Sequence, residues 1–275
     1  MKKVKSVLIK VMIFLLCVIE IYPIFWMLTA SFKQPYEWTD KPAYALNAGF
    51  YLQNYIDAWT RGHMSIYFTN SLINTLVALV FIVYFSVTAG FALNKMEWKW
   101  REKAEIFFGA GIMVPVATAL IPLFQIYNKL HLYNTRTSLI LAYIAFGLSL
   151  SFYLVGGYMR SLPGEIMEAA VIDGCGIYKL IWHIVVPLMK NAIVTVLVLQ
   201  FFFKWNDLIF SMTFISSSSL KTIQTGLLYF SDEFGAKNWG AIFASVSMSV
   251  IPLLLMYIAL NKKVIEGMTS GAVKG

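Results

Sequence analysis

Few residues in this 275-residue chain are placed for bond-making chemistry. His63, His131 and His183 lie far apart and share no metal-ligand spacing, so neither a metal site nor a catalytic site is expected. Cys17 falls in an apolar run and Cys175 in a polar segment, which argues against a disulfide framework. No G-x-x-x-x-G-K-[ST] occurs to cradle a nucleotide phosphate. Asp173-Gly174 also occurs in membrane phosphotransferases, but those need further aspartates for metal, and residues 176–190 contain none. The polar groups that remain are Glu20, the Lys204-Trp205-Asn206-Asp207 run, the serines Ser216, Ser217, Ser218 and Ser219, and a segment built around Glu168 and Gly174.

The elements that must position these residues are membrane helices. The chain is 59% hydrophobic and only 13% charged, with a mean hydropathy of +0.69. One globule could not hide that much apolar surface, so lipid must serve as the second solvent. Six stretches reach about 20 apolar residues, the length that crosses the hydrocarbon core. They are 11–32, 72–93, 104–127, 138–158, 192–210 and 241–260. The first is too long for a signal h-region and reads as a retained anchor. The expected organisation is an all-α, six-span domain over 11–260, with a short N-terminus at 1–10 and a tail at 261–275.

The net charge of +8 is not gathered into a nucleic-acid patch; the basic residues punctuate the apolar runs. Segments 1–10, 94–103, 160–190 and 261–275 carry 14 Lys and Arg in 66 positions, against 7 in 79 for the alternate segments. That asymmetry places both termini and the 160–190 loop in the cytoplasm, and loops 33–71 and 211–240 outside.

Glu20 facing lipid at mid-depth would cost about 3 kcal/mol, so it is expected to face the bundle interior or a wet cavity. Pro23, Pro115, Pro122 and Pro252 are expected to kink their spans. Lys204 and Asp207, three apart, are spaced to pair on a helix. Two readings of their segment stand: an interfacial anchor with Trp205 at headgroup depth, or Asn206 and Asp207 lining the outer mouth of a translocation path. Gly109, Gly111, Gly156 and Gly157 suit close helix packing.

In 160–190, Pro163 and Glu165 suit a helix start, and Gly174 and Gly176 a helix stop near Ile172. An amphipathic stretch over 178–186 then leads to Pro187 and back into the membrane. Glu168-Ala169-Ala170, Asp173-Gly174, Ile184 and Pro187 stand at the spacing of the EAA loop, and here the chain resembles the permeases of binding-protein-dependent ABC importers. Cys175 and Gly176 depart from that family's usual alanine and serine but keep the site small. Asn54-Tyr55, Asn70-Ser71, Trp205-Asn206-Asp207, Trp239-Gly240-Ala241, Pro252 and the ending from Glu266 resemble the carbohydrate (maltose-type) branch, and within it the shorter of two permease subunits.

The resemblance implies a coupling helix in which Glu168, Ala169, Ala170, Asp173, Gly174, Ile184 and Pro187 serve docking on a separate ATPase. It further implies a tail, including Gly271 and Lys274, that contacts the ATPase dimer. The implied partners are a second, different permease, two ATPase subunits and an external solute-binding protein, in a cell membrane. No cofactor belongs to this chain; ATP and Mg would be bound by the ATPase. The 211–240 loop, with Ser216–Ser219, would then enter the binding protein's cleft, or else lie as an amphipathic helix on the membrane surface. The rival classes are a permease for amino acids, peptides or polyamines, and an ion-coupled carrier, which should show buried acids on several spans.

Overall fold

The computed structural model describes residues 2–234 and 238–272, and among them every regular element is helical. Backbone proximity divides the chain into two units. One comprises Met1–Ser65 with Gly226–Pro252, the other Ile66–Thr225 with Leu253–Gly275.

In the first unit, α1 (Lys2–Ala30) is followed by a 3₁₀ turn at Pro35–Trp38 and by α2 (Gln53–Thr60). The segment between α1 and α2 is tied down by buried polar side chains, among them Lys33, which donates to Ala43 O (2.9 Å), Glu37 and, from α2, Asn54. Glu37 accepts from the backbone N–H of Gln34 (2.9 Å) and Ala48 (2.8 Å) and from Lys41 Nζ (2.9 Å). Its burial works against ionisation, but these three donors outweigh it and hold the carboxyl below its ordinary range. Asn54 donates to the carbonyls of Ser31 and Lys33, which closes the segment back onto the end of α1. A side chain at Gly240 would collide with Asn54, so glycine is required there by close approach. Trp26, Trp38 and Phe243 complete the unit with ring centroids 5.2–5.3 Å apart.

The second unit carries the larger core, in which Ile82, Leu139, Ala142, Met159, Val185 and Phe214 are wholly buried. Its helices are α3 (Met64–Lys95), α4 (Arg101–Ala110), α5 (Val116–Lys129), α6 (Arg136–Ser161), α7 (Gly164–Ile172), α8 (Ile177–Lys179), α9 (Val186–Leu188), α10 (Lys190–Trp205) and α11 (Ile209–Phe214). α3 begins well before the apolar run that marks it in the sequence. Two further helices, α12 (Ile223–Phe234) and α13 (Trp239–Ala272), run from one unit's residues into the other's.

Among the described residues, four helices are long and apolar enough to span a membrane singly: α1 from Lys5, α3, α6 and α13 up to Asn261. The expected third span is broken, and a second bend falls just before the expected fifth span, within the 160–190 segment. Arg101–Met113 and Val116–Lys129 meet at 103°, and Ile177–Leu188 and Lys190–Trp205 at 80°. Counting each bent pair as one span restores six. The first break is at Pro115: it has no N–H to donate, and it forces Val114 out of the helical region to φ −78°, ψ 111°. The second follows Pro187, beside which Leu180–Val185 widens into a π-helix. Pro23, Pro122 and Pro252 instead lie inside helices that continue through them.

Glu20 is exposed, as is every residue of α1 from Lys5 to Phe25. One expectation is corrected in part: close helix packing involves two of the four expected glycines and two others. A side chain at Gly109 or Gly157 would meet nothing, whereas at Gly90 it would meet Val155 at 2.9 Å and at Gly147 it would meet Ile82 at 2.5 Å. Gly111, against Ser149, and Gly156, against Asn94 at 3.3 Å, do approach closely.

Candidate functional site: a capped helix between spans and a cavity among them

α7 is a nine-residue helix standing between α6 and the re-entry at α8. Pro163 takes the N-cap position with extended backbone rather than the first helical turn. At the other end Gly174 has φ +73°, the left-handed conformation that glycine adopts without penalty. The Cys175 N–H donates to Ala170 O (2.9 Å) and the Gly174 N–H to Val171 O (3.0 Å), the paired bonds of a Schellman cap. Gly176 has ordinary extended backbone and starts the next turn of helix, so only Gly174 makes the stop.

The cap fixes which way α7 presents its side chains. Ala170 is buried against the core, where a larger residue would lift the helix away. Glu168, Ala169 and Asp173 are exposed, and so are Val171 (60%) and Ile172 (85%). Tyr178, just beyond, is 73% exposed. A groove of about 580 Å3 runs beside this helix, lined by Phe91, Lys95, Met167, Glu168, Ile172 and Cys175 among others. Ile184 is half-buried and Pro187 exposed, on the return segment.

The second feature lies among the spans. A cavity of about 580 Å3 is bounded by the break at Gly111–Val114, by α6 through Tyr143, Phe146 and Ser149, and by the end of α10 with the residues after it. Asn206 and Asp207 both line it. Asp207 is already engaged: it accepts from Tyr143 Oη (2.9 Å) and from the N–H groups of Phe210 (3.2 Å) and Ser211 (3.1 Å). Lys204 makes no ion pair with it within 4.0 Å; its ammonium lies 5.6 Å from the centre of the Tyr143 ring. Asn206 is exposed and donates to Phe202 O. Trp205 is buried, stacked on Phe201 and edge-on to Phe68, so it does not serve as a headgroup anchor in this chain.

The serines stand on a tethered turn. Asn134, at φ 57°, accepts from the Ser216 and Ser217 N–H groups, and Asn70 donates to the carbonyls of Ser219 and Lys221. Arg136 in turn donates to Asn70 Oδ1 at 2.8 Å. Ser217 and Ser219 share a hydroxyl bond across the turn. Asn134 and Arg136 carry this clamp yet have no marking in the sequence: their partners lie more than 60 residues away. Gly271 falls in the last turn of α13, and Lys274 lies outside the described residues.

A short capped helix thus stands between α6 and a bent pair of helices, and a separate cavity lies among the spans. Residues 5–266 match the family described as binding-protein-dependent transport system inner membrane component. The chain belongs to this family. It is similar to the probable ABC transporter permease protein YurM of Bacillus subtilis, with 31% identity over 96% of this chain and 87% of that one. It is also similar to the trehalose/maltose transport system permease protein MalG of Thermococcus litoralis, at 29% identity over 98% of both. Among solved structures, a bacterial ABC transporter that imports the acidic polysaccharide alginate has a chain of the same fold. Its TM-score is 0.86, over 94% of this chain and 96% of that chain, at 18% identity. This permease therefore works in an inner membrane beside a solute-binding protein.

Proposed function

We propose that this permease is one half of the membrane pore of an ATP-driven saccharide importer, with α7 as the part that receives force from a separate ATPase. The observation that carries the reading is the exposed Glu168-Val171-Ile172 surface of a helix whose end is fixed by Gly174. An apolar surface rimmed by a carboxylate is how one protein meets another. The saccharide class rests on the likeness to the trehalose/maltose permease together with the Trp205-Asn206-Asp207 element.

A second, different permease would cover α1, whose apolar surface and Glu20 are exposed. The basic-residue asymmetry supports termini on the cytoplasmic side, with ATP and Mg held by the ATPase. The tethered serine turn then faces outward, toward the binding protein. Alternating access needs only that the ATPase bias a two-state bundle by a few kcal/mol through α7.

The test is proximity. In a Cys17→Ser, Cys175→Ser background, Ile172→Cys should cross-link to the co-expressed ATPase with a short bifunctional thiol reagent. Ser217→Cys should react with an impermeant thiol reagent in intact cells. An Ile172→Cys site that is labelled from outside, or that never yields an ATPase adduct, contradicts the reading.

A further inference from the structure

The membrane cavity is lined by two polar groups whose hydrogen-bonding capacity the described residues leave partly unfilled. Lys204 is only 8% exposed, and among the described residues its ammonium has no hydrogen-bond or ion-pair partner. Gln200, one helical turn earlier on α10, is 2% exposed. Its Nε2 donates to Gly147 O (3.0 Å) and Ser151 Oγ (2.9 Å), while its Oε1 has no partner. Both residues line the cavity. Buried polar groups are ordinarily satisfied, and the ammonium's one near partner is the Tyr143 ring face at 5.6 Å, which leaves its N–H donors free to meet an oxygen in the cavity. The neighbouring carboxylate gives the ammonium no hydrogen bond: Asp207 accepts from Tyr143, Phe210 and Ser211 and lies beyond 4.0 Å of Lys204 Nζ, so it acts on it only as a nearby charge.

We infer that this cavity is a saccharide subsite of the translocation path, in which Lys204 donates to an oxygen on the sugar. The inference rests on the importer reading above and assigns direct substrate contact to this subunit. The remaining lining fits that chemistry. Phe146, Phe203 and Phe210 offer ring surface to the C–H faces of a pyranose, and Ser149 offers a hydroxyl. The volume of about 580 Å3 lies in the range of small-ligand sites, where a mainly apolar wall carries a few convergent polar groups. The acceptor met by Lys204 is either the hydroxyl of a neutral sugar or the carboxylate of an acidic one. Both present an oxygen lone pair to the same donor.

The complete transporter, with its partner permease, ATPases and binding protein, is reconstituted into proteoliposomes, and ATP-dependent uptake of maltotriose and of trigalacturonate is measured. Lys204→Met keeps the length of the side chain and removes the donor; it should lower uptake of the transported probe by about tenfold, and Lys204→Arg should recover part of the loss. If trigalacturonate alone depends on Lys204, the acceptor is a carboxylate; if maltotriose does, it is a hydroxyl. A second reading does not depend on tolerance of the lysine change. Ser149→Cys, in a background free of Cys17 and Cys175, should be alkylated by N-ethylmaleimide several-fold more slowly when the transported probe is present. Wild-type uptake by Lys204→Met, or alkylation of Ser149→Cys that ignores the sugar, overturns the inference. Should wild-type transporter import neither probe while its ATPase still responds to the binding protein, the saccharide class falls and this inference with it, but the importer reading stands.

Discussion

Replacing Gly174 separates the role of the α7 cap from every packing effect. An ideal Cβ built at Gly174 would touch nothing within 4 Å, so the first carbon of a new side chain meets no steric neighbour. The whole penalty is backbone: at φ +73° an L-residue gives up about 1–2 kcal/mol, and a β-branched one more. If the chain escapes by leaving that conformation, it forfeits the Cys175 and Gly174 N–H bonds to Ala170 and Val171, each worth about 1 kcal/mol. Either way, 1–2 kcal/mol withdrawn from the docking-competent form corresponds to a factor of about 5–30 in its population. The expected order of damage is Gly174→Asn mildest, Gly174→Ala intermediate and Gly174→Val worst, since asparagine tolerates the left-handed region. The assay is co-purification of the ATPase and binding-protein-stimulated ATP hydrolysis at matched membrane expression. Wild-type assembly and hydrolysis in Gly174→Val, or asparagine proving worse than valine, would refute the reasoning.

Gly147→Ala places a methyl 2.5 Å from Ile82 Cδ1 and 3.0 Å from Gln200 Oε1 inside a filled core, so a loss of about 1–3 kcal/mol is expected. A lowered Tm should report it, and Ile82→Val, which removes the offending carbon, should restore much of the difference. Asn70→Ala removes one of the two Asn partners of Arg136 and frees two carbonyls of the serine turn; hydrogen exchange over residues 216–222 should quicken, by an amount consistent with about 1–3 kcal/mol per unsatisfied group. Glu37 titrates below its ordinary range, so its contribution to the outer segment is complete above the unfolded value of about 4.3 and is lost as pH falls through the lower folded value. Tryptophan fluorescence near Trp38 should therefore hold steady from neutrality to about pH 5 and change below about pH 4, and Glu37→Gln should abolish that transition.

Much of this architecture is legible in the residues. Apolar length marks the spans because lipid imposes it, and Gly174 announces a helix stop because no other residue sits freely at φ +73°. Composition says nothing about direction, however, which is why the 103° bend at Val114–Pro115 reads in the sequence only as a proline within an apolar run. The Lys204–Asp207 spacing suggests a pair, yet Asp207 is claimed by Tyr143 from 64 positions away and by the N–H groups that follow it. Long-range pairing of that kind leaves no local trace. The same holds for Asn70, which looks like an unremarkable polar residue before a span and in fact ties down carbonyls 149 and 151 positions later.

The central claim is that ATP, acting through a partner ATPase, drives solute through this permease. Proteoliposomes carrying the complete transporter, with binding protein and radiolabelled maltotriose outside and ATP sealed inside, measure that directly. Uptake that requires both internal ATP and the binding protein, and that persists when ion gradients are collapsed, is the result expected. Uptake that continues without ATP but stops when a proton or sodium gradient is removed would contradict the account and identify an ion-coupled carrier instead.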